Sequence, residues 1–491
     1  MALPCELILE VCKCLAKRDL KICRLLSKSW SGPASGFLFS KIYISPRKED
    51  IEVFNLITQH KQLSHCVRHL EYDGTTFSPC YTEYEYMLRV CEEVSRFSDF
   101  YRTCLSKSEH QYTQLLETSS DLTSSALIAT LQGPSGDAVI FEGHREWKDR
   151  DAFQRKIVKY GDFLQILTRG LRKLDLLKSV EVCNEWHRQE FHDFYRRQKP
   201  IDIPNEDSSD PYFYGSPFGR AWGLFHPVPR SWVYESGGRT SREENFATGR
   251  EQFHIITTAL SQSQRHILSF HISPPPASLF DPNATESLVN HSLNAYSGLE
   301  GLTLHLDEYM GETGMIVEYE PLPGLQALLG SMSGLRRLDI GLPWDEQHED
   351  ARFKYHQVFP TDGTQWMRLT KLSISGLAIS INDLFHLLTA RMPKLRELTF
   401  SDVQLLDGRW EGVIEFLKTS IHLLSFPLDE CAMLRHLGGR LFLGGNYDKD
   451  EESFAFRAEL EKYVLSGGRH PCLHPDEDVS ASKKYLLDLD L

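Results

Sequence analysis

Three stretches of the 491-residue sequence hold side chains that could ligate a metal. In WHRQEFHDFY, His187, Glu190 and His192 follow the order His-x-x-Glu-x-His. Helical neighbours lie three or four residues apart, so this spacing puts two donors on one face and leaves the third aside. RHPCLH offers His470, Cys472 and His474, without the second ligand pair that closes a structural zinc site. DKDEESFAFRAE sets Asp448, Asp450, Glu452 and Glu459 in the order of a calcium loop, yet Ser453 stands where the sharp turn needs Gly. The same acids suit the opening of a helix that runs to Ser466-Gly467, carboxylates at its positive end and Gly closing the other. Tyr81, Tyr84, Phe97 and Tyr101 read as core packing rather than a stacking platform. No nucleophile elbow, phosphate-cradling Gly-rich loop or two-His zinc helix occurs. The expectation is a chain without a catalytic, metal or cofactor site, whose work is binding.

The elements that would position a binding site come next. At roughly 100–200 residues per domain the length predicts two to four units. Hydrophobic residues at 41% suffice for a sizeable core, and a formal charge of −14 disfavours nucleic acid or an anionic membrane as general partner. Eleven scattered cysteines without a C-x-x-C pair fit reduced thiols in cytosol or nucleus. The sequons at Asn283 and Asn290 then have no role. No apolar run approaches the 18 or so residues of a membrane span. The first residues do not read as a secretory signal, because Glu6 and Glu10 interrupt the stretch that should be uncharged.

The first fifty residues predict a small helical bundle. Leu7, Ile8, Val11 and Leu15 recur at helical spacing behind Pro4, which a first helical turn tolerates. Asp19 can cap a second helix with Ile22, Leu26 and Trp30 at steps of four, and Gly32-Pro33 is expected to break it. Strand-like alternation follows through Ile42 and Ile44. So small a unit has little core of its own, which leaves some apolar positions, Leu3 and Pro4 among them, to pack elsewhere, on the rest of this chain or on a partner.

The ordered set Leu3, Pro4, Glu6, Leu7, Ile8, Val11, Leu15, Asp19, Leu20, Arg24, Ser27, Trp30, Leu38 and Phe39 resembles the F-box. F-box domains dock on the Skp-type adaptor of cullin-RING ubiquitin ligases. The resemblance implies that residues 2–44 bind such an adaptor through Leu3, Pro4, Glu6, Leu7, Ile8, Val11, Leu15, Leu20, Arg24, Ser27 and Trp30.

Downstream, a phrase with apolar residues at i, i+3 and i+5 returns. It reads Val67-Leu70-Tyr72, Leu171-Leu174-Leu176, Ile267-Phe270-Ile272, Leu299-Leu302-Leu304, Leu335-Leu338-Ile340, Leu369-Leu372-Ile374, Leu395-Leu398-Phe400 and Leu423-Phe426-Leu428. Helix-like pieces such as PLPGLQALLGSMSG, NDLFHLLTARMP and WEGVIEFLKTS lie between. A helix followed by a short strand bearing L-x-x-L-x-L is the leucine-rich-repeat pattern. It predicts an α/β fold: a small helical domain over 1–45, an irregular repeat solenoid over 46–430, and a cap with an acidic tail over 431–491. Insertions are expected near 105–155 and 198–250; an ordinary α/β domain is the competing reading. The overall plan resembles the F-box proteins with degenerate leucine-rich repeats abundant in filamentous fungi, with a loop counterpart at Ser216-Pro217, Arg220, Trp222, Phe225-His226 and Arg230-Ser231-Trp232. That resemblance implies a substrate-recognition adaptor holding a protein substrate on its repeats; the rival is a scaffold that directs no ubiquitination.

Overall fold

The computed structural model describes residues 3–74, 76–77, 134–183, 229–230, 250–272, 280, 286–306, 321–343, 352–426, 433–436, 439–442 and 451–467. Three helices open the chain: α1 (Cys5–Cys14), α2 (Lys17–Leu26) and α3 (Lys28–Leu38). Eight strands then form one parallel sheet in the order of the sequence. They are β1 (Lys41–Ile44), β2 (His69–Asp73), β3 (Ser179–Cys183), β4 (Ser269–Ile272), β5 (Gly301–His305), β6 (Arg337–Gly341), β7 (Lys371–Ser375) and β8 (Glu397–Ser401).

Period-two alternation along these strands explains both faces of the sheet. One register row runs Ile42, Leu70, Val180, Phe270, Leu302, Leu338, Leu372, Leu398. Two residues on, a second runs Ile44, Tyr72, Val182, Ile272, Leu304, Ile340, Ile374, Phe400. All sixteen side chains are buried in the main core. Helices between the strands, including Lys48–Gln59, Asp162–Leu171, Arg250–Ser263 and Pro323–Ser331, and Trp410–Ser420 after β8 bury their apolar sides in that same core.

The turns into the strands share one hydrogen-bond device. The carbonyl of Ser40 accepts from the N–H groups of both Arg68 and His69. The carbonyls of Arg68, Lys178, Leu268, Glu300, Arg336, Thr370 and Arg396 each take the two corresponding N–H groups of the following unit, at 2.7–3.2 Å. Every unit thereby enters the sheet with the backbone of its predecessor satisfied. The residue three before each central one, from Val67 to Leu423, is buried in these turns.

Two glycines permit approaches that a side chain would block. A Cβ on Gly170 would fall 2.2 Å from the Phe54 ring, where helix Asp162–Leu171 meets helix Lys48–Gln59. Gly376, at φ +74°, turns the chain out of β7 with Leu342 O 2.1 Å from where its Cβ would be. Beyond that turn lies a smaller sheet of Phe353–Lys354, Leu377–Ile379, Gln404–Leu405, Met433–His436 and Gly439–Phe442. Asp402 performs the same turn after β8 at φ +53°, an uncommon conformation for a residue with a side chain.

Four sequence expectations are corrected. The phrase Leu171-Leu174-Leu176 is not a strand: Leu171 ends a helix and Leu176 is exposed, and the ladder residues are Leu177, Val180 and Val182. The stripe Ile22, Leu26, Trp30 does not lie on one helix, because Ser27 is extended (φ −165°, ψ 167°) and separates α2 from α3. Pro33 lies inside α3 rather than ending a helix, and Ala16, not Asp19, stands at the N-cap of α2.

Helix Glu451–Ser466 closes at Gly467, φ +78°, as the acids and glycine of that stretch predict. Within the expected first insertion, helix Pro134–Lys159 precedes the β3 unit. Thr76–Phe77, just past β2, pairs antiparallel with Pro229–Arg230. The remainder of the 198–249 stretch, the donors His187, Glu190, His192, His470, Cys472 and His474, Asp448 and Asp450, and the tyrosines near 81–101 lie outside the described residues. Among the described residues, no helix is long and apolar enough to cross a membrane.

Candidate functional site

The N-terminal helices form a core separate from that of the sheet. Ile8 and Cys12 of α1, Leu20 and Cys23 of α2 and Ala34 of α3 are its buried members, with Leu15, Trp30, Phe37 and Leu38 packed around them. Burial, together with the neighbouring Cys23, pushes the Cys12 thiol above its ordinary range. Pro4 stands at the N-cap of α1, and its carbonyl accepts from Ile8 N at 3.1 Å. Lys13 and Glu10 pair at 2.6 Å on the exposed side.

With the inward positions taken, the remaining apolar residues face solvent. On and before α1, Leu3, Leu7 and Val11 are 51%, 52% and 41% exposed. On α2, Ile22, Leu25 and Leu26 are 53%, 82% and 63% exposed. Scattered exposed leucines are ordinary, but each of these two short helices leaves three large apolar side chains to solvent, a concentration that invites an interaction reading. Of the residues the sequence singles out, Leu3, Pro4, Glu6, Leu7, Val11 and Ser27 are exposed. Ile8 and Leu20 are buried in the helical core, and Leu15 and Trp30 half-buried against it. Arg24 sits 5.4 Å over the Phe39 ring, and Phe39 packs on the sheet core, so this arginine ties α2 to the start of the sheet. Leu25 was not among the expected contacts; its i+3 distance from Ile22 is the signal that would have found it.

The face of the sheet opposite the apolar rows is polar. Across β2 to β6 it carries His69, Glu71, Glu181, His271, His305 and Asp339, of which Glu71 is buried and the others half-buried. Glu181 Oε2 lies 3.0 Å from His69 Nε2 and 3.1 Å from Lys41 Nζ, which also reaches Glu71 at 3.4 Å. The His69 bond, helped by Lys41, outweighs burial and holds Glu181 at about 2. His305 Nε2 approaches Asp339 Oδ1 at 3.2 Å. Burial, the largest influence on Asp339, is outweighed by the bonds from His305 and Ser373, so its pKa is lowered. His271 lies in this array with its ring 6.4 Å from that of His305, and burial pushes its pKa down. Among the described residues no three His, Cys, Asp or Glu side chains converge as a metal site.

Set against known proteins, the chain matches no family model and no curated sequence.

Proposed function

We propose that this chain is the substrate-recognition adaptor of an SCF-type ubiquitin ligase. In this reading α1–α3 act as an F-box that docks a Skp-type adaptor linked to a cullin, in cytosol or nucleus. The sheet and its helices are an irregular leucine-rich-repeat solenoid that holds a protein substrate, and the transfer chemistry belongs to the partners. The observation that carries the proposal is the exposed Leu3, Leu7, Val11, Ile22, Leu25, Leu26 set on a module whose inward positions are already filled. Apolar residues at i, i+3 and i+4, as Ile22, Leu25 and Leu26 are, serve as the anchors when an amphipathic helix lies in a partner's groove. The ladder of shared carbonyls, repeated from Ser40 to Arg396, supports the solenoid reading, since stacked repeats satisfy one another in one fixed way.

The test is co-purification of a Skp-type adaptor with the intact chain, with Leu7→Asp/Leu25→Asp, and with Leu3→Ala/Pro4→Ala. The intact chain should retain the adaptor, and both variants should lose it by tenfold or more with unchanged melting, because the altered residues are exposed. Failure of the intact chain to retain the adaptor removes the proposal. Retention of a cullin with the adaptor supports the ligase; adaptor without cullin supports the rival scaffold.

A further inference from the structure

The sheet face offers a more specific reading, which rests on the proposal that it holds a partner. Its first register row runs Lys41, His69, Ser179, Ser269, Gly301, Arg337, Lys371, Glu397. Three consecutive strands, β3 to β5, thus carry the smallest side chains of the row, between His69 on one side and Arg337 on the other. Packing does not demand this at Gly301: an added Cβ would meet Ser269 Oγ at 3.5 Å and nothing closer, an ordinary contact. A glycine within a strand weakens it, and often marks a place where another chain approaches.

Arg337 is the second observation. It is exposed, its cross-strand neighbours are Gly301 and Lys371, and like charges directly opposite destabilise a sheet. Nearby carboxylates are already engaged. Glu397 holds Lys371 at 3.1 Å, Asp339 holds His305, and Glu300 lies 3.4 Å from Arg336 and 3.9 Å from Arg368. No carboxylate lies within 4.0 Å of Arg337 among the described residues. At the far side of the trough Lys178, in the turn into β3, is exposed and likewise without an ion pair among them. Leu268, 39% exposed in the turn into β4, adds an apolar lip between the two cations.

We infer that the trough over Ser179, Ser269 and Gly301 docks an acidic peptide segment of a partner protein, lying across the strands with carboxylates at Lys178 and Arg337 and an apolar residue between them over Leu268. Three strand spacings separate the cations, about 14 Å, which an extended peptide crosses in about four residues. Carboxylates four residues apart point to the same side of such a peptide. Charge supplies the selectivity: a neutral segment of the same shape leaves Arg337 and Lys178 without an ion pair.

The probe is a fluorescein-labelled peptide, Ala-Glu-Ser-Leu-Ala-Glu-Ala, titrated with the intact chain at low salt and compared with the same peptide carrying Gln for Glu. The Glu peptide should bind, the Gln peptide at least tenfold more weakly, and added salt should weaken the former. Arg337→Glu, which would pair with Lys371 and keep the sheet folded, should weaken Glu-peptide binding tenfold or more. Gly301→Gln, which fills the trough without changing charge, should do the same, while Lys148→Glu on helix Pro134–Lys159 should change nothing. No binding of the Glu peptide, equal binding of both peptides, or indifference to Arg337→Glu would overturn the inference. Adaptor capture on the same preparations separates the two readings: if it persists while the peptide fails, the trough is wrong and the F-box reading stands.

Discussion

At the scale of single residues, His271 sets a pH dependence. Burial lowers its pKa from the ordinary 6.5, and the groups around it divide: Glu181 and Asp339 pull it up, His305 and His69 push it down. His254 is lowered in the same way, by burial and by His291. An unfolded histidine takes its proton near 6.5, whereas these two resist until lower pH. The unfolded state therefore binds more protons as pH falls below 6.5, and stability drops with it. A melting series from pH 7.5 to 5 should show this loss, and His271→Gln should flatten it; an identical slope in the variant would sink the assignment. Glu181 acts further down, where stability is lost as the pH falls from its unfolded value toward about 2. The helical spacing of Leu7, Ile8, Val11 and Leu15 was legible in the sequence, and α1 occupies that stretch. What the sequence did not show is which of them face inward. Ile8 and Leu7 are adjacent and equally apolar, and only the meeting of α1 with α2 and α3 buries one and leaves the other exposed.

At the scale of elements, the turn at Gly376 is the most sensitive joint. Gly376→Ala meets two penalties, a left-handed backbone worth about 1–3 kcal/mol for a residue with a side chain and a collision with Leu342 O. Chemical denaturation should show a loss at the upper end of that range or beyond, whereas Asp402→Gly, at the equivalent turn, should incur no backbone penalty. A neutral Gly376→Ala would mean that this turn relaxes freely. The strands were readable wherever leucine marks them. They were misread at β3, where Val180 and Val182 fill the ladder and the nearby run Leu171, Leu174, Leu176 imitates it. Valine suits a strand better than leucine does, so a search keyed to leucine favoured the helix end. The break at Ser27 was hidden for a similar reason: Ile22, Leu26 and Trp30 keep helical spacing across a residue whose backbone is extended.

At the scale of the whole molecule, the chain has two cores of unequal size. The helical module rests on five buried side chains, while the sheet core runs from Ile42 to the C-terminal helix. Local stability follows buried contact, so the amides of α1 and α2 should exchange hydrogen well before those of β4 to β7. Mass-detected exchange of the free chain checks this, and a bound adaptor should slow α1 and α2 alone. Equal protection throughout would mean a single cooperative unit. The repeat phrases at Leu70 and Phe270 placed β2 and β4 in one array with insertions between, but the exact strand that joins them, paired through Val180 and Val182, is shown only by the register.

Ser40 belongs to both parts: it follows the last turn of α3, and its carbonyl is the first rung of the ladder. Phe39, held under Arg24, sits one residue earlier in the sheet core. There is consequently no spacer between the N-terminal helices and the sheet, as there would be if a Gly/Ser segment joined them. Under the proposed function, a substrate on the sheet face would hang from the adaptor on a bracket rather than a rope, because only Phe39 and Ser40 separate α3 from β1.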